Sequence, residues 1–236
     1  MLAIANFSNP LFWAVLIAWI MSVVLHEFAH GIVAYWGGDY TIRERGGLTL
    51  NPIQYVDPVF SILLPIVFLF MGGIPLPGAS TYVRRDLLRS RGWDSAVSLA
   101  GPAMNFLLFL ACAIPLHPKF GWLDPSDPES WTNAQITLGA TATLQIIAML
   151  FNLFQVPPLD GFQAISPWMS QENRQKLSMP PTSVMLFVGL YVVLANFPIL
   201  SWMLHNVADP LLGAMGFDWV GQDFFRAAYN HALFGK

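Results

Sequence analysis

The sequence predicts an α-helical integral membrane protein with about five transmembrane helices and small β-hairpin insertions. Of its 236 residues, 55% are hydrophobic and 11% are charged, whereas a soluble domain carries about 25% charged residues. The mean hydropathy is +0.53, and several uncharged runs approach the roughly 20 apolar residues that a helix needs to cross a bilayer. The net charge is −3, so no basic surface indicates a nucleic-acid partner.

Uncharged runs give the order of the five predicted spans. The second of them is short and contains Pro65, so it is either a full span or a re-entrant loop. The predicted spans cover residues 10–35, 59–73, 95–116, 133–156 and 183–204.

Two polar connections are predicted to contain short strands. Residues 40–50 carry strand-favouring side chains on both sides of a Gly46-Gly47 turn, a pattern typical of a β-hairpin. Residues 80–83 form a second strand-like stretch. The tail from Asp209 mixes aromatic and charged residues, which favours an amphipathic helix in the membrane interface over a sixth span. The whole chain, 1–236, is thus predicted to be one membrane-embedded domain, with a core at 11–165 and a further span and interfacial tail at 166–236.

Three ionisable residues, His26, Glu27 and His30, end an apolar stretch in which no earlier residue is charged. In the sequence HEFAH the two histidines are four positions apart, so one helix face presents both imidazoles to a single metal ion. Glu27 lies about 100° further round the helix. That position is beside the metal, where a carboxylate can take a proton from zinc-bound water. The plainer interpretation is a polar cluster near a helix end that forms hydrogen bonds to its neighbours.

Asp160 is the best candidate for the third ligand that a catalytic zinc ion needs. Residues 130–159 carry no charge, and Pro157-Pro158 ends the predicted helix just before Asp160. Irregular backbone at membrane depth is tolerated only against protein or a water-filled cavity. Asp160 is therefore predicted to face the interior, although an Asp-Gly pair taken by itself is also typical of a plain turn.

Two asparagines complete the candidate site residues. Asn105, in GPAMN, and Asn152, in NLFQVPPLDG, are amides on two different predicted helices. Either could donate hydrogen bonds to a substrate carbonyl or to its developing oxyanion. Either could equally well link neighbouring helices.

Together these motifs resemble the site-2 protease family of intramembrane zinc metalloproteases. The resemblance rests on HEFAH, LTLNPIQYVDP, GPAMN and NLFQVPPLDG in that order, and it covers about residues 11–165.

The resemblance implies a zinc metalloendopeptidase with one zinc ion per chain. Its ligands would be His26, His30 and Asp160, with Glu27 as the catalytic base, and the family's asparagines would correspond to Asn105 and Asn152. The sequence departs from the family in showing no PDZ domain, so we expect a short form, located in a bacterial-type inner membrane. The expected partners are the lipid bilayer and single-span membrane proteins, which would be cut within or near their transmembrane segments.

Two other classes of function stay open on the residues alone. A transporter or channel could use intramembrane histidine and aspartate as an ion path, but it would not need Glu27 beside the histidine pair. An inactive membrane adaptor could keep the metal-binding fold without activity. Metal content separates the first class from the protease, and a proteolysis assay separates the second.

Overall fold

The structure is a computed structural model that describes residues 6–57, 61, 79–196 and 202–235. The regular elements within these residues are helical, and none of them is a β-strand. In chain order the helices are α1 (Pro10–Gly37), α2 (Thr41–Glu44), α3 (Arg91–Ala113), α4 (Asn133–Asn152), α5 (Asp160–Ile165), α6 (Gln171–Ser178), α7 (Pro180–Asn196), α8 (Asp209–Ala214) and α9 (Trp219–Phe234).

Three of these helices are long and apolar enough to cross a membrane, namely α1, α3 with the turn that extends it to Leu116, and α4. They correspond to the first, third and fourth predicted spans. The pair α6 and α7, bent by 69°, passes the same test as one broken span. The predicted second span at 59–73 lies outside the described residues except for Ser61. The described part of the chain thus confirms a helical fold with three to four membrane-length elements.

Each of the three long helices begins at a residue whose side chain accepts a hydrogen bond from the first turn. Asn9 caps α1 ahead of Pro10, Ser90 caps α3, and Thr132 forms a capping box with Gln135 at the start of α4. Such caps satisfy backbone N–H groups that have no partner inside the helix. The helix starts are therefore encoded locally in the sequence.

Helix α3 lies at the centre of the bundle, where it packs antiparallel to α1 and also against α4. The large apolar core collects Leu11, Phe12 and Val15 of α1 with Phe109 and Ala113 of α3. Because these residues lie near the start of α1 and the end of α3, the core occupies one end of the bundle. His26, Glu27 and His30 lie towards the other end.

The C-terminal tail is amphipathic, as the sequence predicts, and its apolar face packs into this core. Phe224 and Phe225 of α9 are 1% and 3% exposed and lie against α4. The Asn9 side chain donates hydrogen bonds to the carbonyls of His231 and Ala232, at 2.8 and 3.2 Å. The apolar face of α9 is thus covered by protein; its depth in a membrane stays a prediction.

The predicted β-hairpin at residues 40–50 is wrong. Its first half is the helical turn α2, in which Ile42 is 1% exposed and packs with Ala34 and Val97. Strand propensity is easily overridden by burial, and here burial of Ile42 decides the conformation. Gly47 then lies so close to α1 that a Cβ at Gly31 would clash with its carbonyl.

Residues 80–83 are not part of a sheet within the described chain, although their side chains alternate between exposed and half-buried as in a strand. The Ser80 N–H donates to the Tyr55 carbonyl at 3.1 Å. The Thr81 hydroxyl donates to the Glu27 carbonyl at 3.2 Å. The segment therefore runs beside α1 at the level of Glu27, with no partner strand in the described residues.

Candidate metal centre

Three predicted ligands, His26, His30 and Asp160, lie together in the bundle. The two Nε2 atoms are 3.1 Å apart. The Asp160 carboxylate oxygens lie 3.2 Å from Nε2 of His26 and 3.5 Å from Nε2 of His30. Ligand atoms held at about 2.0–2.1 Å around a tetrahedral zinc ion are roughly 3.3 Å from one another. The spacing of these three side chains therefore fits one zinc ion.

The other ring nitrogen of each histidine faces a hydrogen-bond acceptor. Nδ1 of His26 is 3.2 Å from Oδ1 of Asn105, and Nδ1 of His30 is 2.6 Å from the Val97 carbonyl. A hydrogen on each Nδ1 satisfies these acceptors, and in a neutral imidazole this tautomer leaves the lone pair on Nε2. Both rings are thus held by α3 in the tautomer that binds a metal through Nε2.

With both imidazoles neutral and in this tautomer, several electron pairs meet without a hydrogen between them. The two Nε2 lone pairs face one another and the Asp160 carboxylate, and Oδ2 of Asp160 is buried without a hydrogen bond. Buried acceptors without a donor are costly. A divalent cation at their meeting point removes this cost, and imidazole and carboxylate are ligands that zinc accepts.

Gly101 of α3 lies directly against both imidazoles. A Cβ at this position would clash with the Nε2 atoms of His26 and His30. The absence of a side chain keeps the space in front of these two nitrogens open. The sequence interpretation included Gly101 in GPAMN but gave it no role. A glycine inside an apolar helix, which costs about 1 kcal/mol relative to alanine, was the signal that could have found it.

Glu27 is a second carboxylate close to the histidines. It is 7% exposed, and one of its oxygens lies within 4.8 Å of a nitrogen of each imidazole. By proximity, Glu27 and Asp160 both qualify as a third ligand. Asp160 is favoured because its two oxygens each lie close to one Nε2, while Glu27 leaves the helix about 100° away from His26.

The two asparagines are placed differently. Asn105 is 3% exposed and lies against His26, so it links α3 to α1, one of the two roles that the sequence left open. Asn152 is the last residue of α4 and is half-buried. No hydrogen bond joins Asn152 to the histidines or to Asp160 within the described chain.

A helical bundle with membrane-length elements and a group of imidazole and carboxylate donors that could hold a metal ion is compatible with a membrane-type metalloprotein. The chain is 33% identical to "Putative zinc metalloprotease Rip2" of Mycolicibacterium smegmatis, over 83% of this chain and 72% of that protein. It is 34% identical to the Rip2 protein of Mycobacterium tuberculosis strain Erdman, over 86% and 78%. It is also 31% identical to "Putative zinc metalloprotease YwhC" of Bacillus subtilis, over 82% and 86%.

The chain therefore belongs to the family of zinc metalloprotease-like proteins that includes Rip2 and YwhC. A match over 83% of the chain reaches past residue 165, so the similarity takes in part of the C-terminal helices. No protein-family model and no solved structure matches the chain.

We predict that the purified protein holds about one zinc ion per chain, as a mononuclear catalytic zinc site does. His26→Ala, His30→Ala and Asp160→Ala should each lose most of it, because each removes one of three donors. Metal analysis by mass spectrometry measures the zinc content. The controls His231→Ala and Asp86→Ala change exposed residues and should keep it. Full zinc retention in Asp160→Ala would identify Glu27 as the nearest replacement ligand and contradict our assignment.

Gly101→Ala is predicted to lower the zinc content to below about a tenth of the wild-type value, since the added methyl group clashes with both Nε2 donors and second-shell changes alone cost about 10–100-fold in affinity. The matched control is Gly189→Ala, a position in α7 where a Cβ meets nothing within 4 Å. Circular dichroism establishes that both variants stay helical. A helical Gly101→Ala protein with full zinc would show that this space is not where the metal lies.

Proposed function

We propose that this chain is an intramembrane zinc metalloprotease, which hydrolyses peptide bonds within or near the transmembrane segments of single-span membrane proteins. The observation that carries the proposal is the meeting of two imidazole lone pairs and a carboxylate, with Glu27 beside them, inside a bundle of membrane-length helices. The names of the relatives support the class of reaction. The motifs HEFAH and PPLDG support the intramembrane form.

In this proposal His26, His30 and Asp160 hold a zinc ion, which when bound lowers the pKa of a coordinated water and polarises a carbonyl. The other roles are assigned to side chains and backbone groups of this chain. Asn105 and the Val97 carbonyl keep the imidazole rings oriented through their Nδ1 hydrogens.

Glu27 is the proposed proton carrier. Its carboxylate accepts the proton of the attacking water as the C–O bond forms, and it then passes that proton to the leaving amine as the peptide C–N bond breaks. Asn105 is also proposed to contact the reacting carbonyl. Its amide oxygen faces His26, while its amide nitrogen makes no hydrogen bond within the described residues, so Nδ2 can donate to the developing oxyanion.

A substrate must be extended where it is cut, because the carbonyls of a helix are hydrogen-bonded along the backbone and shielded. Residues 80–83 supply an extended segment at the level of Glu27, without a partner strand in the described chain. Adding a substrate strand to such an edge gives affinity through backbone hydrogen bonds. This segment is therefore the proposed substrate-binding strand.

Glu27→Gln is predicted to abolish cleavage and to keep zinc, because the amide fills the same space but cannot accept the proton. Product formation from a membrane-embedded test substrate and zinc content are measured on the same preparation. An active Glu27→Gln protein would rule out Glu27 as the base. A metal-free, inactive protein would instead make Glu27 a ligand.

Cleavage is predicted to occur inside the hydrocarbon region, nearer the end of the bundle at which α1 ends. His26 follows Pro10 by sixteen residues, which at about 1.5 Å per residue places it some 24 Å along the helix. Helix-breaking residues near the cut should speed the reaction because they expose the carbonyl, and leucine in their place should slow it.

The measurement for this prediction is mass spectrometry of products from a single-span test substrate in which a helix-breaking pair is moved along the span. Cuts that follow the pair within the span are the expected result. Cuts confined to the soluble flanks, wherever the pair lies, would refute the intramembrane form and leave a zinc peptidase that acts outside the bilayer.

A further inference from the structure

Asp39, which lies two residues after the end of α1, is fully buried, with 0% of its surface exposed. Its carboxylate accepts hydrogen bonds from the Thr41 hydroxyl at 2.5 Å and from Nη2 of Arg45 at 3.0 and 3.2 Å. It also accepts one from the backbone N–H of Arg84, at 2.8 Å. Because a buried carboxylate is tolerated only with such partners, Asp39 fixes the groups around it in one arrangement.

Two of these partners belong to, or touch, the proposed substrate-binding strand at residues 80–83. The Arg84 N–H lies at the end of this segment and binds Asp39 directly. The Arg45 guanidinium, which is paired with Asp39, lies over the ring of Tyr82 at 5.0 Å, a favourable cation–π distance. One carboxylate is thus connected to the segment at two points, directly and through Arg45.

The other end of the segment is attached to the site itself. The Thr81 hydroxyl donates to the carbonyl of Glu27. Glu27 lies within α1, and Asp39 follows the helix after the single cap residue Gly38, with its backbone N–H bound to the Ala34 carbonyl at 2.9 Å. The segment is therefore held at both ends relative to the proposed base. Within the described chain the backbone groups of residues 81–83 make no hydrogen bonds to other segments, which leaves an edge that another strand can use.

We propose that Asp39 is a positioning residue for substrate binding, which holds the edge of residues 81–83 beside Glu27 so that an extended, apolar peptide segment can pair with it. This inference rests on the proposed function. Asp39 touches no reacting atom; it acts through Arg84 and Arg45. Its loss is therefore expected to weaken substrate binding and to leave the metal and the chemistry in place.

Three variants test the proposal. Asp39→Asn keeps the volume of the side chain but removes its charge. An amide N–H₂ group also replaces one acceptor oxygen, so a donor then faces another donor, either the Arg84 N–H or Arg45. Arg45→Gln removes the link to Tyr82 and leaves the Arg84 contact. The matched control is Asp86→Asn, which neutralises an exposed carboxylate of the same connection that pairs with the Arg84 side chain.

The first measurement is steady-state cleavage of the single-span test substrate by zinc-loaded protein. Asp39→Asn is expected to raise KM by about tenfold or more, the effect of losing a charged hydrogen bond, with kcat changed less than about threefold. Arg45→Gln should raise KM by a smaller factor, and Asp86→Asn should leave it unchanged. The zinc content and the helical circular dichroism signal should equal those of the wild type. Equal values would exclude a general loss of folding as the cause of a higher KM.

The second measurement detects binding without cleavage. A photo-crosslinking amino acid replaces the exposed Ser80 in the Glu27→Gln protein, and the yield of crosslink to the same test substrate is compared with and without Asp39→Asn. The expected result is a drop of about fivefold or more, parallel to the change in KM.

The outcomes separate the two proposals. Normal cleavage by the wild type with an unchanged KM and crosslink in Asp39→Asn would overturn the role of Asp39 and leave the protease intact. No cleavage by zinc-loaded wild type, together with a crosslink that depends on Asp39, would overturn the protease and support the binding role. If the wild type does not cleave and the Glu27→Gln protein with intact Asp39 gives no crosslink, both proposals are overturned. A tenfold or larger loss of kcat or of bound zinc in Arg45→Gln, with KM unchanged, would show that Asp39 and its partners Arg45 and Arg84 only support the fold.

Discussion

The meeting of two imidazole lone pairs and one carboxylate in the interior of a helical bundle is the constraint on which the rest of the structure depends. Such electron pairs repel one another unless a cation or protons lie between them. Around this point α3 contributes a glycine that leaves the space open and acceptors that orient each ring. The close packing of α1 and α3 is therefore part of the site, since without it Gly101, Val97 and Asn105 would not reach the histidines.

Two buried carboxylates outside the site have arginine partners, and this distinguishes them from the carboxylates of the proposed site. Asp39 is paired with Arg45, and Asp94 is paired with Arg85. Glu27 and Asp160, in contrast, have no lysine or arginine partner among the described residues. A carboxylate in a low-dielectric interior needs a compensating charge. Where the chain supplies an arginine the carboxylate stabilises the fold, and where it supplies only histidines the compensating charge is expected from a metal ion.

The bundle is divided between an apolar end and a polar end. At the apolar end α9 and the start of α4 bury Phe224 and Phe225 and tie the chain termini together through Asn9. At the polar end the connections after α1 and before α3 are held by Asp39, which binds the Arg84 N–H, and by Asp94, which pairs with Arg85. Rigid helices thus carry the proposed metal ligands, and tethered connections carry the proposed substrate-binding segment, which suits a reaction in which the substrate must unfold locally while the donor set stays fixed.

The sequence by itself determined the helical class, the positions of α1, α3 and α4 to within a few residues, and the pairing of His26 with His30. These features depend on hydropathy, capping and the period of one helix, which are local properties. The tertiary structure decided what depends on contacts between distant segments: the approach of Asp160, the placing of Asn105 against His26, and the need for glycine at 101. It also decided against a hairpin at residues 40–50, because burial of Ile42 against α1 and α3 outweighs a strand propensity that a short segment expresses only weakly.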